Sequence, residues 1–135
     1  MESLLIERTD FTPQVSFDPK EGIFEISGFS RPENVIGFYR PILNWLRDYY
    51  ENELSQNTNF EKSQITLNIK MTYFNSASSK FILDILLEFV GFSNKGNNVS
   101  INWHYEQDDD EILESGEEIS DMLGFPFTFI EYDPY

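Results

Sequence analysis

Strict alternation of apolar and polar side chains marks two half-buried strands along the chain. In residues 64–73, Ile65, Leu67, Ile69, Met71 and Tyr73 fall on one face, and Thr66, Asn68, Lys70 and Thr72 on the other. In residues 99–105, Val99, Ile101, Trp103 and Tyr105 alternate with Ser100, Asn102 and His104. Residues 12–18 alternate in the same way through Pro13, Val15 and Phe17, and residues 23–29 follow with Phe24 and Ile26 inward. The intervening Pro19-Lys20-Glu21-Gly22 is a turn signal, so these two strands predict a hairpin. A short last strand is expected at 127–132.

Three segments switch to helical spacing. The first opens at Arg31-Pro32-Glu33-Asn34 and carries Val35, Phe38, Tyr39, Ile42, Leu46 and Tyr49 at intervals of three and four. Pro41 lies inside it and predicts a kink or a detached first turn, and the helix should fade near Glu53. Residues 55–62 are polar and read as a loop. The second helix opens at Asn75-Ser76-Ala77-Ser78 and ends by Asn94-Lys95-Gly96-Asn97. The third spans about 109–123 on the stripe Ile112, Gly116, Ile119, Leu123, with Gly124 as its stop.

The order expected is β-β-α-β-α-β-α-β. Strands buried on both faces read as near-continuous apolar runs. The alternation here therefore predicts a two-layer α/β domain, a mixed sheet with helices mainly on one face. Thr66, Asn68, Lys70, Ser100 and Asn102 should line an open face. At 135 residues, a single domain over 1–135 is expected.

Charge narrows the function. Twenty-four acids against nine bases give −15, and the residues after Lys95 carry −11 of it. Such a chain lacks the basic face that a nucleic-acid binder or an anionic membrane requires. The acidic carboxy-terminal region reads as a solvated face, with a docking surface for a basic partner as the sharper alternative. Without cysteine there is no disulfide, thiolate nucleophile or Cys-ligated zinc, and the lone His104 cannot build a multi-histidine metal site. No cofactor or metal is expected, and no catalytic residue. The amino terminus has no signal-peptide pattern and no stretch reaches the roughly 18 apolar residues that span a bilayer, so a cytoplasmic location is expected.

The strand-to-helix junction Tyr73-Phe74-Asn75-Ser76-Ala77-Ser78-Ser79-Lys80 holds more hydroxyls than one helix cap uses. A phosphate on Ser76 would sit at the positive end of the helix dipole, and Lys80 one turn on would compensate part of its charge. Asn75, Ser78 and Ser79 would shape that site. The helix that follows is apolar on most of its circumference, where a surface helix buries about a third. Either its neighbours flank it on both sides, or part of it binds a partner.

This junction, in a small domain of this element order, resembles the STAS-like anti-sigma-factor antagonists, whose Asp-Ser-Ser/Ala-Gly motif stands here as Asn75-Ser76-Ala77-Ser78. A closer resemblance is to the SiaC family of bacterial regulatory phosphoproteins. It rests on Arg31-Pro32-Glu33-Asn34 leading to Phe38-Tyr39-x-Pro41-Ile42-x-x-Trp45-Leu46, on Tyr73-Phe74-Asn75-Ser76-x-Ser78-x-Lys80, on Val99-x-Ile101-x-Trp103-His104-Tyr105, and on Phe125-Pro126-Phe127. The resemblance implies a signalling adaptor that partners a protein kinase, a protein phosphatase and a diguanylate cyclase, binding the cyclase when unphosphorylated. It places the phospho-acceptor at Ser76, where the family has Thr. An anti-sigma-factor antagonist is the alternative. A small hydrolase using His104 and the acidic cluster is the more distant one, since no nucleophile is spaced to serve that histidine.

Overall fold

The computed structural model describes residues 1–57 and 63–135, so residues 58–62 of the expected polar loop lie outside the described residues. Six strands form one mixed sheet in chain order: β1 (Leu4–Ile6), β2 (Gln14–Asp18), β3 (Ile23–Ser30), β4 (Gln64–Phe74), β5 (Asn98–Glu106) and β6 (Thr128–Tyr132). β1, β2 and β3 pair antiparallel, and β3 to β6 pair parallel. The helices are α1 (Val35–Tyr49), α2 (Ser76–Asn94) and α3 (Asp110–Leu123). β1 adds an edge strand to the expected order. Three residues, with Leu5 73% exposed, are too few to show a period.

Each parallel pair needs a crossover, and the crossovers are the three helices in turn. Crossovers of this kind keep a right-handed sense, and the strand order never reverses, so every helix falls on the same face. Phe17, Phe24, Leu67 and Ile101 stand side by side across that face, followed by Val15, Ile26, Ile69 and Trp103. All eight are buried. α1 packs Trp45 and Tyr49 against Phe24, α2 packs Phe89 against Phe17 and Phe24, and α3 lies over Trp103.

Among the described residues, the opposite face carries no helix. Ser100 is exposed there, and Thr66, Asn68, Lys70 and Asn102 are half-buried, less open than expected. Their partial burial comes from one another. Asn102 donates to Asn68 Oδ1 at 3.0 Å, His104 Nε2 lies 3.0 Å from the same oxygen, and Lys70 Nζ sits 4.4 Å above the Tyr132 ring.

The hairpin turn requires its glycine. Gly22 has φ +71°, donates its amide to Asp18 O, and a Cβ there would lie 2.2 Å from Gln64 O. α1 opens on Asn34, whose side chain accepts from Gly37 N at 3.0 Å. Pro41 does not detach its first turn. The helix runs unbroken from Val35 to Tyr49 because the proline and the carbonyl it frees, on Gly37, both face solvent. A π-helical turn, Tyr50–Leu54, then ends it.

α2 is central. It packs on the sheet and against both α1 and α3. That accounts for most of its apolar excess: Ile82, Ile85, Leu86, Phe89 and Phe92 are buried, Phe81, Leu83 and Val90 are half-buried, and Leu87 alone of this set is exposed. α3 opens on Asp109, whose carboxylate accepts from Ile112 N at 3.1 Å, and closes on Gly124 at φ +63°. Its acids Glu111, Glu114, Glu117, Glu118 and Asp121 are exposed.

Candidate functional site

β4 delivers the chain to α2 through a local irregularity. Gly28 pairs with Met71, but Phe29 pairs with Tyr73, so Thr72 is one residue too many for β3. Such a bulge re-aims the side chains that follow it. Tyr73 was expected on the core face with Met71. Instead it is 43% exposed and stacks on Phe29 with centroids 4.9 Å apart. Phe74 takes the inward place, edge-on to Trp103.

Asn75 then caps α2, its Oδ1 accepting from Ser78 N at 2.9 Å while its own carbonyl accepts from Ser79 N. The three candidate hydroxyls and one amide of the junction separate clearly in this setting. Ser76, the first helical residue, is exposed. Ser79 is half-buried, and Ser78 has no exposure at all. Lys80 is exposed, its Nζ 3.6 Å from Asp84 Oδ2 and 4.8 Å from the centroid of the Phe81 ring. Replacing Asn75 by Ala should lower the domain's unfolding free energy by about 0.5–2 kcal/mol in a denaturant titration, because Ser78 N loses its cap.

Beneath Ser76 lies a buried chain of hydroxyls that local sequence signals did not mark. Tyr39 OH is 2.5 Å from Ser30 Oγ, Ser30 Oγ donates to Ser78 Oγ at 2.9 Å, and Ser78 Oγ donates to Ser30 O at 3.3 Å. Tyr39, Ser30 and Ser78 are each 0% exposed. Burial pushes the Tyr39 hydroxyl above its ordinary pKa, partly offset by its hydroxyl partners. It stays protonated as a donor. The signal that finds Ser30 is positional: it stands at an inward place of β3 where Phe24 and Ile26 precede it.

His104 lies on the open face, half-buried. Burial first, then the nearby Lys70, hold its pKa below the usual histidine value. Its hydrogen-bond partner is Asn68, an amide and not a nucleophile. Among the described residues no His, Asp and Glu side chains converge on a cation position, and no helix is long and apolar enough to cross a membrane.

A model of the SiaC family of regulatory phosphoproteins matches residues 6–132. The chain belongs to the SiaC family. Apo-SiaC from Pseudomonas aeruginosa shares the fold with TM-score 0.80 at 28% identity, covering 96% of this chain and 99% of that one. SiaC from the same organism, crystallised with the diguanylate cyclase SiaD that it activates, aligns with TM-score 0.82 at 26% identity over 96% of this chain and 99% of its own. An uncharacterized protein of Pseudomonas aeruginosa strain UCBPP-PA14 is 26% identical over 133 residues, covering 98% of this chain and 99% of that protein. The SiaC fold is thus the one derived above, with its six-stranded mixed sheet and three helices on one face.

Proposed function

We propose that residues 1–135 act as one cytoplasmic regulatory domain that binds and activates a diguanylate cyclase while Ser76 is unmodified. A protein kinase would write the phosphate on Ser76 and a protein phosphatase would remove it. The observation that carries this reading is the accessibility of the junction. Ser76 presents an exposed hydroxyl at the amino end of a 19-residue helix, while Ser78, two residues on, is sealed in the core. A kinase reaches the first and not the second without unfolding the turn. The helix dipole and first-turn amides favour a phosphate at that place. The relative of this fold that binds SiaD supports the choice of partner. The exposed stack of Tyr73 on Phe29 supplies apolar surface beside the acceptor.

The test is the intact mass of the protein purified from its native host. A gain of one phosphate, absent from Ser76→Ala, is the expected result. A phosphate that persists in Ser76→Ala, or none under any growth condition, overturns the assignment.

A further inference from the structure

Ser30, Tyr39 and Ser78 meet where β3, α1 and α2 converge, and the switch as described has no use for them. Each hydroxyl has one proton, which fixes the direction of the chain. Ser30 spends its proton on Ser78 Oγ, so Tyr39 is the donor to Ser30 Oγ, and Ser78 donates to Ser30 O. The same carbonyl accepts Asn75 N at 3.1 Å. Residues on both sides of Ser76 are therefore tied to the carbonyl of Ser30, and the hydroxyl of the same residue joins Tyr39 on α1. Tyr39 also stacks on Phe81 of α2, with rings 5.5 Å apart and nearly parallel.

We propose that Tyr39, Ser30 and Ser78 are positioning residues that hold the Ser76 turn in one register and carry the charge state of Ser76 to α1. This rests on Ser76 being the modified hydroxyl. An anion there competes with Asn75 Oδ1 for the amide of Ser78. Ser78 cannot shift to meet it without moving its own Oγ, which is the acceptor for Ser30. At 0% exposure no water replaces a lost partner, so the chain re-pairs as a whole or not at all. Re-pairing moves the acceptor that Tyr39 needs, and Tyr39 lies one turn inside α1. A second satisfied arrangement, beside the one in the structure, would make the network a two-state element that both ends bias.

The experiment is hydrogen exchange on the full chain, comparing Ser76 with Ser76→Asp in the native and the Tyr39→Phe backgrounds. Tyr39→Phe removes one donor, keeps the ring stack and leaves Ser30 donating to Ser78. In the native background, aspartate should change exchange rates at residues 38–46 of α1 by threefold or more. In Tyr39→Phe the change should stay within residues 76–80. Ser78→Ala, which cuts the chain at its other end, should also confine the response. A purely structural role would lower the unfolding midpoint of both variants and leave the α1 response intact. An equal α1 response in all backgrounds, or none in the native one, overturns the proposal. Aspartate is installed without a kinase. A phosphorylated Ser76 with no coupling therefore sinks only this inference, and coupling in a protein that is never phosphorylated sinks only the switch.

Discussion

Ser76→Asp should weaken binding to the cyclase partner at least tenfold, and Ser76→Ala should bind as the native chain does. The two variants differ little in the global stability of the free domain. Alanine removes a hydroxyl that caps nothing, since Asn75 supplies the cap of α2. Aspartate puts one negative charge at the first helical position, where the dipole favours it by about 0.3–1 kcal/mol. Neither variant should unfold below the native chain in a thermal scan. The difference arises in the complex. Beside Ser76 stand exposed Tyr73 and the Phe29 ring it stacks on. A partner that covers this surface must strip water from the aspartate, which costs several kcal/mol if no cation meets it. Lys80 pairs with Asp84 at 3.6 Å and would have to leave that exposed pair to meet the charge. Tenfold corresponds to about 1.4 kcal/mol, well inside that cost. Phosphate carries nearly two charges, so its effect should exceed that of aspartate. Calorimetric titration against the purified cyclase measures both variants. Equal affinity for the native, alanine and fully phosphorylated chains would leave Ser76 as an ordinary first-turn residue.

The parts of this design legible in the sequence are those that repeat. Alternation in β4 and β5 gave the two-layer architecture, and the stripes on α1 and α3 name buried residues except for Val35, Phe38 and Leu123, which are half-buried. Single departures from a repeat are invisible to it. The extra residue at Thr72 turns Tyr73 outward and Phe74 inward, because a period of two cannot show where a neighbouring strand drops a residue. The edge strand β1 has no room for a period, and its pairing with β2 is set by the partner. The acceptor turn was legible in kind but not in roles. Four polar residues within five positions, Asn75, Ser76, Ser78 and Ser79, look alike on paper. The fold distributes them as a cap, an exposed hydroxyl, a buried link and a half-buried neighbour. What separates them is Ser30, 48 residues away from Ser78 and unreadable from the junction itself.

Two helical glycines should respond to alanine with opposite signs. In an exposed helix interior, glycine to alanine stabilises by about 0.5–1 kcal/mol, since glycine has more backbone freedom to lose. Gly91 on α2 meets that condition, because a Cβ built there finds nothing within 4 Å. Gly91→Ala should therefore raise the unfolding midpoint. Gly116 on α3 has the same propensity argument and a different neighbour. A Cβ there would lie 2.5 Å from Cδ1 and Nε1 of Trp103. The indole cannot withdraw freely. Its Nε1 donates to Ile112 O at 2.9 Å, Phe127 stacks on it at 6.0 Å, and Phe74 meets it edge-on. With 0% exposure it has no solvent side to turn towards. Something must move: α3 lifts from β5 or the tryptophan leaves its hydrogen bond. Overpacking of this kind costs about 1–3 kcal/mol, more than the propensity gain returns. At this length a kcal/mol corresponds to about 3–5 °C, so Gly116→Ala should melt several degrees below the native chain. Its tryptophan near-ultraviolet dichroism should change, and that of Gly91→Ala should not. Stabilisation by both substitutions would mean that α3 does not seat on Trp103 through this glycine.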